Sequence, residues 1–172
     1  MMGGMAGLES REQPWPRGSA AAARWGPVAE GEQGADILEL FGNPAEREVR
    51  LVSEPGKAWV ARRLTQAVIL WQWGLGPQVA EHAVLLVSEL VGNAVRHTGA
   101  RSFTLRLHRR RGWMRAEVGD PSRGLPCLMP VAEMDESGRG LLLVEKLSDR
   151  WGVDLGPFGK ITWFEMRVVD RV

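Results

Sequence analysis

The chain has 172 residues, 44% of them apolar and 25% charged, an ordinary composition for a globular domain with a real core. A formal net charge of +1 supplies no global field toward nucleic acid or an acidic membrane, and the single cysteine, Cys127, excludes an intramolecular disulfide. Three scattered histidines, His82, His97 and His108, argue against a structural zinc centre, and no apolar run has the length of a signal-peptide core or a membrane span. The expectation is a soluble, cytoplasmic protein with no membrane and no direct nucleic-acid partner.

Residues 1–42 read as a flexible N-terminal tail. MMGGMAG, PWPRGSAAAARWGP and GEQGAD are rich in Gly, Ala and Pro and lack sustained apolar periodicity, so burial cannot offset their ordering entropy. Trp15 and Trp25 stand isolated there, and ADILELF, 35–41, is compatible with a helical turn. The domain is expected over 43–172. EREVRLVS alternates polar and apolar residues as an edge strand does. Ser53 is placed to cap a helix with Pro55 in its first turn, along which Ala58, Leu64, Val68 and Trp71 recur at helical spacing. GLGPQ interrupts, and a second helix is expected from Pro77 to His97, ending before Gly99.

SFTLRLHR, the turn RRG and WMRAEVGD then form a hairpin, with Arg109, Arg110 and Arg111 a solvated charge run at its tip. A connection of about twenty residues, rich in Pro, Gly and acids, leads to a third helix, GRGLLLVEKLSDR. Two strands, WGVDLG and ITWFEMRVV, close the chain around a turn at 157–160. This order predicts an α/β fold: a two-layer sandwich with helices on one face of a mixed, mostly antiparallel sheet. Trp71, Trp113, Trp151 and Trp163 are expected as core or interface aromatics.

Three features could carry chemistry. On the second helix, Glu89 lies among apolar neighbours, where a carboxylate is costly unless something polar meets it. Asn93, four residues on, shares its face. Asn93 could serve as an oxygen ligand to a metal and Glu89 as a base toward a hydroxyl; the competing reading is a helix-margin glutamate paired with Arg96 or Arg62. Asp120 ends the hairpin just before Pro121, where it either accepts a hydrogen bond from an exocyclic amine such as that of adenine or serves as a turn residue. Gly138-Arg139-Gly140 precedes the third helix, a place where backbone N–H groups can meet phosphate.

Taken in order, E-x-x-x-N, Asp120, Gly124 and GRG resemble the GHKL superfamily, which includes histidine kinases, gyrase and MutL. SELVGNAVRHTG, VGDPSRGLP, ESGRGLLLVEKLSDRWGV and GKITWFEM look closest to its anti-sigma-factor serine/threonine kinase branch, notably small single-domain regulators of the kind abundant in actinobacteria, over about residues 46–170. The resemblance implies a Bergerat ATP-binding fold that uses ATP and Mg²⁺. Glu89 falls at the family's general base and Asn93 at its Mg²⁺-binding asparagine. Asp120 matches the aspartate that recognises the adenine amine, and Gly124 matches the second glycine of the first glycine box. Gly138, Arg139, Gly140 and Leu141 match the phosphate-wrapping box, with 125–137 as the lid. Ser122 stands where many members have glycine, Glu136 where some kinases have a basic residue, and Ile161 precedes Thr162 where relatives read GKTVWFEL. Side chains alternate along a strand, so that last shift moves the threonine hydroxyl to the opposite face.

The implied function is a regulatory protein kinase that transfers phosphate to a serine on a small antagonist protein. A sigma factor and a second copy of the chain remain open as further partners. The alternative is a non-catalytic, nucleotide-gated protein-binding switch. A detached histidine-kinase catalytic domain fits less well, because no helix with a phosphoacceptor histidine precedes residue 46.

Overall fold

The computed structural model describes residues 31–54, 57–122 and 139–169. Helix α1 spans Gly31–Phe41, strand β1 Val49–Val52, helix α2 Ala58–Ala67 and helix α3 Pro77–Thr98. The hairpin β2, Ser102–Arg110, and β3, Trp113–Asp120, follows. Helix α4, Arg139–Leu147, leads to β4, Arg150–Gly156, and β5, Gly159–Arg167. The five strands form one sheet in the order β1-β2-β3-β5-β4, antiparallel at every described pairing, with β1 at an edge as its alternating pattern predicts. The two-layer α/β sandwich expected from the order of elements is present.

Alternation builds the core. Phe103, Leu105 and Leu107 of β2, Met114, Ala116 and Val118 of β3, and Phe164 and Met166 of β5 point to one face and are buried. Against them pack Val60, Ala61 and Leu64 of α2 and Leu86, Val87, Leu90 and Val91 of α3. The opposite face is charged and aromatic. Arg115 there meets Glu117 at 2.6 Å, Asp154 at 3.2 Å and Glu165 at 3.4 Å, and lies 4.0 Å over the Trp163 ring. Arg150 stacks on Trp113 at 4.3 Å. Trp71 and Trp151 adjoin the core, whereas Trp113 and Trp163 are cation–π partners on the outer face.

Local chemistry explains the boundaries. Pro77 opens α3 after Gly76, and Gly99 closes it at φ 59°, a left-handed conformation that glycine adopts without a Cβ clash. The β2–β3 turn needs positive φ at both Arg111 (46°) and Gly112 (76°), as a two-residue hairpin turn does. Arg109 is half-buried rather than fully solvated: its Nη1 donates to the Trp73 carbonyl at 2.6 Å.

Two helical expectations are corrected. The helix expected from Ser53 starts at Ala58, and its N-terminal residue, Lys57, makes no side-chain cap. Ser53 instead donates its backbone N–H to the Arg101 carbonyl at 2.9 Å, which keeps it with the strand edge. Past Ala67 the chain widens into a π-helical turn, Val68–Gln72, with Trp73 N–H on the Val68 carbonyl at 2.8 Å.

Residues 31–42 depart from the loose-tail reading, and residues 1–30, including Trp15 and Trp25, lie outside the described residues. Ile37 of α1 is in the core, Leu38 and Phe41 pack against it, and Phe41 meets Trp59 edge to face at 6.3 Å. Gly34 lies so close to the Trp71 ring that a Cβ there would overlap it. A protein starting at residue 43 is therefore expected to melt well below one starting at residue 31. Losing a buried isoleucine costs about 2–4 kcal/mol, which for a chain of this size lowers Tm by roughly 5–15 °C. Equal melting temperatures by calorimetry would show that α1 contributes nothing to the fold. No helix among the described residues is long and apolar enough to cross a membrane.

Candidate functional site

Helix α3 carries Glu89 and Asn93 one turn apart, on the margin between its buried stripe and the start of α4. Leu86, Leu90 and Ala94 beside them are buried, while Glu89 and Asn93 are half-buried. Burial pushes the Glu89 carboxyl above the ordinary glutamate value, and the positive charge of Arg96 opposes that rise. Glu89 makes no ion pair among the described residues. Arg96, one partner offered by the competing reading, donates its Nε–H to the Gly92 carbonyl at 3.1 Å.

Gly140, in the first turn of α4, is buried directly against the Glu89 carboxylate: a Cβ at this position would overlap Oε2 and lie 3.3 Å from Cδ. This contact brings the E-x-x-x-N helix and the glycine turn together. First-turn N–H groups of a helix lack intrahelical partners and can face an anion. Arg139 is the first residue of α4, and the Leu141 side chain is buried, which leaves its backbone N–H as the group able to meet phosphate. Gly124, Gly138, Glu136 and the expected lid, 125–137, lie outside the described residues, as does Cys127.

Asp120 ends β3 on the sheet face that the helices cover, 7% exposed. Its Oδ1 accepts the Ser122 backbone N–H at 2.8 Å and lies 3.4 Å from the Lys160 ammonium, which also donates to Ser122 Oγ. Register explains the juxtaposition. Asp120 is paired with Lys160, and Val118 with Thr162, and partners across an antiparallel pair share a face. Thr162 is consequently buried on the same face as Asp120. Ile161 and Thr162 lie on opposite faces, as strand alternation requires, and the pairing with β3 puts Thr162 on the face of Asp120. Gly159 completes the corner: its backbone approaches the Asp120 carbonyl so closely that a Cβ would overlap the oxygen.

Lys160 and Gly159 escaped the sequence reading. The signal available was the pairing of the hairpin end with the last strand, which alternation alone does not supply. Among the described residues no group of three or more His, Cys, Asp or Glu could hold a metal ion. One amide oxygen, on Asn93, beside one carboxylate suits a Mg²⁺ ion held mostly by phosphate and water rather than by a protein cage.

A family model described as the histidine kinase-like ATPase domain matches residues 51–166. Among solved structures, the RsbU and RsbW domains of Rv1364c from Mycobacterium tuberculosis superpose with a TM-score of 0.51 at 20% identity, covering 71% of this chain and 32% of that one. The blue-light activated histidine kinase of Erythrobacter litoralis EL346 aligns at 27% identity over 55% of this chain and 32% of that chain, with a TM-score of 0.41. The chain thus spans about a third of the length of either structure, and the first of them bears on the fold. A comparison with curated proteins finds no match.

Proposed function

The chain belongs to the histidine kinase-like ATPase domain family, and from that premise we propose that it is an ATP-dependent regulatory kinase of the anti-sigma-factor type, acting on a serine or threonine of a small antagonist protein. The observation that carries this reading is the seating of Glu89, a half-buried carboxylate with raised proton affinity, against the Gly140 backbone at the start of α4. A base one helical turn from Asn93 and beside free helix N–H groups is where a terminal phosphate and an incoming hydroxyl would meet.

In this reading Asp120 Oδ2 accepts from the exocyclic amine of adenine, and the N–H groups of Arg139, Gly140 and Leu141 hold phosphate oxygens. Gly124 and Gly138 complete the two glycine turns. Asn93 would hold Mg²⁺, which when bound neutralises charge on the phosphates. Glu89 takes the proton of the attacking hydroxyl as its oxygen bonds to the γ-phosphorus and the bond to the β-phosphate oxygen breaks. The partner is a small antagonist protein, and the setting is the cytoplasm.

Calorimetry with ATP and GTP tests the nucleotide site. Wild type is expected to bind ATP with Mg²⁺ dependence and to prefer it over GTP. Asp120→Asn replaces an acceptor by an amide that can turn a donor to the base, so the preference should fall roughly tenfold or more. Folded wild type that binds no ATP would end the reading, and an Asp120→Asn protein with unaltered preference would remove Asp120 from base recognition. Wild type that binds both ATP and an antagonist yet transfers no phosphate would leave the nucleotide-gated switch in its place.

A further inference from the structure

Lys160 is 8% exposed, and it is the only lysine among the buried residues described. An ammonium in such a place is costly unless it is paired, and its two partners are specific: Asp120 Oδ1 at 3.4 Å and Ser122 Oγ. The Ser122 backbone N–H reaches the same Oδ1 at 2.8 Å. Two donors therefore converge on one oxygen of Asp120, and no described residue donates to Oδ2.

We propose that Lys160 is a positioning residue for base recognition: by engaging Asp120 Oδ1 together with Ser122, it locks the carboxylate with Oδ2 as the single outward acceptor and thereby sets the preference for a 6-aminopurine over a 6-oxopurine. This rests on the reading of the site as a purine nucleotide site. The logic is one of donors and acceptors. A carboxylate fixed beside an ammonium presents an acceptor alone, which an exocyclic amine satisfies and a 6-oxo group does not. Without the ammonium, one of the two donors on Oδ1 is gone, and Asp120 can rotate at χ2 and turn its acceptor away from the amine. The pairing belongs to the fold: register places Lys160 opposite Asp120, and Gly159 lets the backbone turn tightly against the Asp120 carbonyl.

The test measures ATP and GTP affinities by calorimetry on wild type, Lys160→Met and Lys160→Arg, each verified as folded by circular dichroism. Lys160→Met keeps the length of the side chain and removes the charge; its ATP-over-GTP preference should fall roughly tenfold or more, mostly through weaker ATP binding. Lys160→Arg restores a cationic donor and should keep most of the preference. Should Lys160→Met fail to fold, Lys160→Leu, which likewise has no donor, carries the same expectation of lost preference. Unchanged preference in the folded uncharged variant overturns the inference, and so does an equal loss of both nucleotides, which would mark Lys160 as structural. Wild type that binds neither nucleotide would instead overturn the nucleotide site itself, a failure distinct from either of these.

Discussion

Glu89→Gln is expected to leave ATP affinity within a few-fold of wild type while the proposed phosphoryl transfer to an antagonist falls roughly 10²- to 10⁴-fold, the usual contribution of a general base. The glutamine keeps the shape of the side chain and fits against Gly140, but it cannot take the proton of the hydroxyl. The same variant carries a second, independent signature in stability. Burial raises the Glu89 carboxyl above the ordinary glutamate value, with Arg96 opposing. A group whose folded pKa is raised contributes stability that is fully present below its unfolded value and is lost as pH rises through its folded value. Glutamine has no proton to lose, so Glu89→Gln should melt above wild type at neutral pH. That margin should shrink to nothing as pH falls through the ordinary glutamate range. Label transfer from γ-labelled ATP gives the first readout and melting curves across pH the second. A margin that widens toward acid would contradict the burial of the carboxylate, whatever the transfer assay shows.

Legibility in the sequence followed the physics of each element. Long periodic segments were readable: α3 was bounded by Pro77 and Gly99, whose backbone preferences are strong, and the β2–β3 hairpin by its alternation and its Arg111-Gly112 turn. Segments whose placement depends on a distant partner were not. Helix α1 looks too polar and glycine-rich to fold alone, yet Gly34 is the gap that admits the Trp71 ring and Ile37 the residue that fills the core. The π-helical turn after Ala67 leaves no mark in apolar spacing, since Val68 and Ile69 are buried in it as they would be in an α-helix. The proposed site residues Glu89 and Asn93 stand out as polar groups within the apolar helix α3, and Asp120 as a carboxylate at the end of β3. Lys160 could not, because its meaning lies in the register of β3 with β5, and the same register decides that Thr162 shares the face of Asp120. The contact between Glu89 and Gly140 joins residues 51 positions apart (140 − 89) and needed the packing of α4 on α3.

That contact makes Gly140 the most informative position for a second variant. Gly140→Ala adds a Cβ that would overlap Glu89 Oε2, while Glu89 Cβ lies 3.6 Å away. The atom in the way is the end of a flexible side chain, so the carboxylate is displaced and the backbone can stay. Alanine inside a helix is favoured over glycine by about 1 kcal/mol, which offsets the repacking. The variant is therefore expected to fold with a melting temperature within a few degrees of wild type. Its effect should fall on chemistry: a general base moved by about 1 Å costs on the order of 10²-fold in transfer. Nucleotide affinity should change far less, because the added methyl points at Glu89. The double variant Glu89→Gln, Gly140→Ala settles how the loss arises. If Gly140 acts by placing Glu89, the second substitution has little left to remove, and the double variant should transfer about as slowly as Glu89→Gln alone. Losses that multiply in the double variant would mean that Gly140 serves the phosphates through its own backbone, independently of the carboxylate it touches.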